Sequence, residues 1–322
     1  MFDNCIVIVC NVSMNPLKRL STYRKQAMVL LGLCILLPLS SCAVFSYRAH
    51  RWEKSVSRDP DGVLSHARAK TWEGEGPAIL LVHGFGDGPH VWNKLGPELA
   101  TSGYHVRALR LPGWNEPLDV KRSITRDDWR NQVLKEADIL RERNQPLLVM
   151  AHSLGACIVS DLVQSGRLTP DAIVLYSPLF RVSDARSPIV SSRTWFHIGT
   201  RILPDSFIIE SIFQEQAQNG VARPPTKRDP FNPKNIFIEM FQLMDEREAA
   251  PMELPCPLYL IVAEKDRVIN TPVALDWFQK IEAPVKKLRK DPTAGHAMPL
   301  DLETLAETRN LLLWFTQQGI TP

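Results

Sequence analysis

Six cysteines lie scattered through 322 residues at no paired spacing, which excludes the disulfide framework of a small secreted scaffold. No Cys/His cluster at metal-ligand spacing occurs, and nothing in the chain implies a metal or another cofactor. No Lys/Arg stripe interleaved with aromatics appears and the net charge is only +3, so a nucleic-acid partner is not expected. The chain also lacks internal repeats and low-complexity tracts. Its N-terminal apolar run, Ala27 to Leu39, has 13 residues, short of the ~20 that a membrane-crossing helix needs. What remains is an ordinary globular balance, 44% hydrophobic and 23% charged, with enough apolar side chain to fill a sizeable core. Length alone does not choose between one large domain and two small ones.

The first forty residues read as an address. Lys18, Arg19, Arg24 and Lys25 form a basic segment, the apolar run follows, and Leu39-Ser40-Ser41-Cys42 closes it. A run of this length suits the apolar region of a secretory signal. The four closing residues resemble the lipobox of bacterial lipoproteins. That resemblance implies cleavage before Cys42, a diacylglycerol on its thiol and acylation of the new amino group, several chains that together anchor stably. Residues 1–41 are thus expected to be a signal peptide and 42–62 a tether. A plain cleavable signal and an uncleaved anchor are the competing readings. Met1 to Ser13 is apolar and misplaced for a basic leader, which points to Met14 as the natural start. Ala43, rather than aspartate, follows the cysteine, favouring the outer membrane where there are two. Cys157 and Cys256 then remain in the folded part, either as one bridge or as two buried thiols.

From about residue 63 short apolar runs alternate with helical periodicity. Ile79–Val82, His105–Leu109, Leu147–Ala151, Ala172–Tyr176 and Leu258–Ala263 read as buried strands, with a weaker one at Val285–Leu288. Helices are expected over Trp92–Ser102, Asp127–Arg143, Leu154–Gln164 and Leu302–Gln317. Strand after strand separated by helix implies an α/β domain over 63–322, a mostly parallel sheet with helices on both faces. Residues from about 180 to 252 break the rhythm. They carry Trp195, Phe196, Ile202, Leu203, Phe207, Ile208, Ile212 and Phe213, a polar linker Gly220–Pro233, and a helical face of Ile236, Met240, Leu243 and Met244. A helical cap over a site is expected there; a second small core is the alternative.

The residues that carry chemistry begin with Ala151-His152-Ser153-Leu154-Gly155, set between a strand and a helix. The pentapeptide resembles the nucleophile elbow of the α/β-hydrolase family, in which a sharp turn exposes the serine oxygen and admits only small residues two positions either side. Ala151 stands where the family usually has glycine. His83-Gly84-Phe85-Gly86, directly after the Ile79–Val82 strand, resembles the family's oxyanion loop. The resemblance implies two backbone donors, the N–H groups of Phe85 and Leu154. Asp266, after the Leu258–Ala263 strand, and His296, in Gly295-His296-Ala297, complete the family's chain order of serine, acid, histidine. Glu264 and Asp291 are the competing acids. His152 and His83 are expected to be structural, and His90, His105 and His197 to serve packing or the surface. Leu111-Pro112-Gly113-Trp114-Asn115-Glu116 departs from the family, where Pro-Gly-His-Gly is common: Trp114 and Asn115 replace the last two residues.

The resemblance spans about residues 65–318. By cap position it is nearest the monoacylglycerol lipase, lysophospholipase and carboxylesterase group. It implies an α/β-hydrolase fold and a serine hydrolase that cleaves esters of acyl chains through an acyl-enzyme on Ser153, with His296 as base and Asp266 as its orienting acid. A peptidase, thioesterase or acyltransferase using the same triad is the alternative within enzymes. A silent ligand-binding lipoprotein is the alternative outside them. The expected partners are a lipid or small-molecule ester and, through Cys42, a membrane.

Overall fold

The computed structural model describes residues 40, 42–185, 187, 190–210 and 230–322. The signal segment 1–39 with Ser41, and Ile212, Phe213 and the linker 220–229, lie outside the described residues. The chain divides into two units, 1–48 and 49–322. In the first, residues 40 and 42–48 are helical, Cys42 among them and partly exposed. Among the described residues no helix is long and apolar enough to cross a membrane.

The second unit is built on a seven-stranded sheet of β1 (Lys70–Trp72), β2 (Ala78–Val82), β3 (His105–Ala108), β4 (Leu147–His152), β5 (Ala172–Tyr176), β8 (Leu258–Ala263) and β9 (Lys286–Asp291), in the order β1-β3-β2-β4-β5-β8-β9. β1 runs antiparallel to β3, and every other pair is parallel. The four central strands are buried at every position, as a sheet covered on both faces requires. Their period of two deals side chains alternately to the faces. Leu80, Val82, Val149, Ile173, Leu175 and Leu260 meet the helices Arg126–Arg141, Leu154–Gln164 and Lys234–Glu248 on one side. Ile79, Leu81, Met150, Val174 and Ile261 meet Leu95–Thr101 and Thr304–Gln317 on the other.

Three features depart from the sequence reading. The expected Trp92–Ser102 helix breaks into a 3₁₀ turn, Pro89–Trp92, and a shorter helix, Leu95–Thr101. The weak strand extends to Asp291 as a highly charged edge, Lys-Lys-Leu-Arg-Lys-Asp, with alternate residues exposed. Charge on an edge strand deters pairing with other chains, and it also hides the strand from a search for apolar runs. Within the expected cap, the two helical segments are buried to different extents. The helix Ser192–Ile202 buries no residue fully and leaves Trp195, Ile198 and Ile202 exposed. An antiparallel pair, β6 (Ile208–Glu210) with β7 (Phe231–Pro233), follows. The helix Lys234–Glu248, by contrast, packs Ile236, Met240, Leu243 and Met244 into the main core beside the Leu154–Gln164 helix. The second apolar face thus finds its partner in the domain itself. Cys157 and Cys256 are free, buried thiols, each pushed up to about 12 by burial.

Candidate active site

Ser153 joins β4 to the helix Leu154–Gln164 at φ 53°, ψ −114°, a left-handed conformation that costs a residue with a Cβ on the order of 1–3 kcal/mol. Backbone bonds hold it there: its N–H donates to the Tyr176 carbonyl at 3.0 Å, and its own carbonyl accepts from Cys157 at 3.1 Å and Leu179 at 3.0 Å. Gly155 makes the turn possible, since a Cβ there would stand 2.5 Å from the His83 carbonyl oxygen. No such conflict touches Ala151, whose methyl is absorbed into the core; this is why alanine serves at that position.

One loop from a distant part of the chain, carrying His296, reaches the Ser153 hydroxyl, and a second, carrying Asp266, reaches His296. His296 follows β9 through a turn closed by Asp291, whose Oδ1 accepts from the Thr293 N–H at 2.9 Å and the Ala294 N–H at 2.8 Å. Its Nε2 lies 2.9 Å from Ser153 Oγ, and its Nδ1 lies 2.8 Å from Asp266 Oδ2. The other carboxylate oxygen of Asp266 accepts the N–H groups of Val268 at 2.9 Å and Ile269 at 3.1 Å. An ionised carboxylate only accepts, so His296 Nδ1 carries a proton and Nε2 is left to accept from the serine. Burial by itself raises the Asp266 carboxyl, but the charge and hydrogen bond of His296 and the two backbone donors outweigh it, and the group stays below the ordinary carboxylate range. Of the rival acids, Glu264 is exposed to solvent and Asp291 is committed to its turn. Ser153, His296 and Asp266 thus converge, hydroxyl to imidazole to carboxylate, and the other two acids do not join them.

The loop after β2 lies against this line. His83 is fully buried, its Nε2 accepts the Leu111 N–H at 3.0 Å, and Nδ1 therefore donates to the Gly84 carbonyl at 2.9 Å. A trans peptide points its C=O and N–H in opposite directions, so turning the Gly84 carbonyl toward His83 turns the Phe85 N–H away from it. Leu154 opens its helix, among the amides that have no acceptor within the helix. His152 sits behind, its Nε2 2.7 Å from the His296 carbonyl oxygen, and so ties the base's own backbone to the elbow. Among the described residues no group of three or more His, Cys, Asp or Glu is set to hold a metal.

The sequence model of the alpha/beta hydrolase family matches residues 79–308, more than two thirds of the chain and all three of these side chains. The chain belongs to the alpha/beta hydrolase family. Over 243 residues this alpha/beta hydrolase is 25% identical to the thermostable monoacylglycerol lipase of Bacillus sp. (strain H-257), covering 75% of its own length and 91% of that protein. Among solved structures it resembles one from a study of the metagenome-derived lipolytic enzymes LipS and LipT, with a TM-score of 0.67 at 19% identity, covering 79% of this chain and 99% of that one. A soluble variant of the monoglyceride lipase of Saccharomyces cerevisiae, bound to a substrate analogue, superposes with a TM-score of 0.64 at 14% identity, over 78% of this chain and 91% of that one.

Two buried histidines give the alpha/beta hydrolase a predictable response to acid. Burial is the main cause that lowers His83 to about 4 and His152 to about 3. Both are therefore neutral when folded, while the unfolded chain takes up protons below about 6.5. The folded state binds fewer protons, so stability is full above that value and is lost as pH falls through it. Between pH 7 and pH 5 the two should together remove roughly 4 kcal/mol, about 2 each, and lower the melting temperature on the order of 10 °C. Thermal melts across this range check it; a flat profile would refute the buried neutral imidazoles.

An apolar cavity of about 380 Å³ lies beside the site, between the Ser192–Ile202 helix and the start of Lys234–Glu248. Trp195, Phe196, Leu203, Phe237 and Phe241 line much of it. Neither Ser153 nor His296 lines it; its links to them are Arg267, next in sequence to Asp266, and Phe237, whose ring lies 5.1 Å from that of Phe85. The sequence pattern singled out Trp195 and Phe196 but not Arg267 or Phe237, because only the tertiary packing brings these toward the site.

Proposed function

We propose that this alpha/beta hydrolase cleaves carboxylic esters of acyl chains, with Ser153 as nucleophile. Ser153 Oγ attacks the ester carbonyl as its proton passes to His296 Nε2, and the carbonyl π pair moves onto oxygen. Backbone N–H groups of Phe85 and Leu154 stabilise that oxyanion, a contribution typically worth ~10²–10³ in rate for each donor. The intermediate collapses, the alkoxide leaves with the His296 proton, and an acyl-enzyme remains. Water, deprotonated by His296, repeats the sequence and releases the acid. The single observation that carries this reading is the 2.9 Å and 2.8 Å relay from Ser153 through His296 to Asp266. An apolar cavity beside the relay and the monoacylglycerol lipase among its relatives support an acyl-chain lipid ester as substrate.

The test is an assay of the protein expressed from its full sequence in a bacterial host and purified, on medium-chain p-nitrophenyl esters, monoacylglycerols and amino-acid arylamides, with fluorophosphonate labelling read by mass spectrometry. Ester turnover and a label on Ser153 are expected. Cleavage confined to arylamides, or a label elsewhere, would overturn the reading. We also propose export as a lipoprotein held to a membrane by acyl chains on Cys42. The same spectra check this: the mature N-terminal peptide should begin at a diacylglyceryl-modified Cys42, and an unmodified thiol there would refute the anchor.

A further inference from the structure

Resting on the reading of Ser153 as nucleophile and Phe85 N–H as oxyanion donor, we propose that Trp114 and Asn115 are positioning residues that hold the Gly84–Asp87 loop at the geometry the oxyanion requires. A single stretch after β3 grips that loop at alternate residues. Leu111 N–H binds His83 Nε2 at 3.0 Å, the Trp114 ring lies 4.6 Å from the Phe85 ring, and Asn115 Nδ2 donates to the Asp87 carbonyl at 3.0 Å. The Gly84–Phe85 peptide sits between these three attachments. Each is made from outside the loop, so none depends on a substrate being present.

Both side chains carry marks of a role beyond filling space. Asn115 is fully buried at φ 61°, a conformation that asparagine tolerates better than most residues. Among the described residues its Oδ1 is buried with no hydrogen-bond partner, an unfavourable arrangement, so its side-chain hydrogen bonding here is that of the donor half. A flipped carboxamide would set oxygen against the Asp87 carbonyl. Trp114 is also fully buried, and among the described residues its Nε1 has no hydrogen-bond partner. A phenyl ring would avoid that orphaned donor but is narrower. The indole reaches Phe85 on one side and stacks on Trp129 at 6.0 Å and 17° on the other. Trp129 in turn donates Nε1 to the Pro112 carbonyl at 3.1 Å. The Arg126–Arg141 helix is thereby connected through Trp129 and Trp114 to Phe85. Glycine at position 115 would have no side chain with which to reach Asp87.

The test is N115G, since glycine adopts φ 61° freely and the substitution removes only the carboxamide. W114F is the second variant, should N115G fold poorly. On a soluble p-nitrophenyl ester, N115G should lower kcat about tenfold, part of the ~10²–10³ lost with a whole donor, while KM stays within twofold. Binding of a trifluoromethyl ketone, whose adduct with Ser153 places an oxyanion in the same position, should weaken by the same factor as kcat. W114F should shift both in the same direction. Unchanged kcat and inhibitor affinity in both variants would overturn the inference. So would a loss spread equally over KM and kcat with a lowered melting temperature, the pattern of a merely structural role. A wild-type chain inert toward every ester would instead overturn the functional reading, and this inference with it; an active wild type matched by both variants overturns the inference alone.

Discussion

Replacing Ser153 with alanine should reduce ester hydrolysis by a factor on the order of 10⁴–10⁶, the range reached when a serine nucleophile is removed from an intact triad. Its hydroxyl is the oxygen poised 2.9 Å from His296 Nε2. Since the proposed acyl-enzyme forms on that oxygen, fluorophosphonate labelling should vanish together with turnover. The fold should survive. Alanine meets the same backbone strain at φ 53° as serine does, and the bonds that hold the turn run through the main chain, from Ser153 N–H to the Tyr176 carbonyl and from Leu179 N–H to the Ser153 carbonyl. Steady-state kinetics and a melting curve on the same preparation check both parts. Activity within tenfold of wild type would remove Ser153 from the mechanism.

Asp266→Asn should lower kcat by about 10⁴, the scale set when an orienting carboxylate becomes an amide. The direction follows from the two oxygens being held differently. Oδ1 faces the N–H groups of Val268 and Ile269 at 2.9 and 3.1 Å, which only an acceptor satisfies, so the amide oxygen takes that place. The NH₂ group must then face His296 Nδ1 and force it to accept. The ring's one proton moves to Nε2, where it points at Ser153, and the base can no longer take the serine proton. Glu264→Gln and Asp291→Asn, at the rival carboxylates, should leave kcat within a few-fold, because Glu264 is exposed and the Asp291 carboxylate accepts from the Thr293 and Ala294 amides of its own turn. A drop at Glu264 equal to that at Asp266 would reassign the acid. Because Asp266 is held below the ordinary carboxylate range, its contribution to stability is complete above the unfolded value near 3.9 and is lost only as pH falls below it. Acid loss of stability at pH 5 therefore belongs to buried histidines, His83 and His152 foremost, and not to Asp266.

Much of the architecture was legible in residue order because its determinants are local. A strand covered on both faces must be apolar throughout, so β2, β4, β5 and β8 stand out as uninterrupted apolar runs. A turn that admits only small neighbours around its serine leaves the Ala151–Gly155 pattern, and Gly155 is required by a carbonyl oxygen 2.5 Å from any Cβ. Steric and burial demands of this kind act on each residue through its immediate environment, so they leave a mark in the sequence itself. Three things were settled only by the tertiary structure. The helix Lys234–Glu248 belongs to the core because the apolar face of Leu154–Gln164 was open to receive it. Which carboxylate meets His296 depended on the path of the loop after β8 and on the two amides that orient Asp266. Trp114 and Asn115 look like mere departures from a familiar loop until the fold brings Phe85 and the Asp87 carbonyl, some 28 residues earlier in the chain, against them. Contacts between such distant segments follow from how whole layers pack, and no periodicity or short motif encodes them.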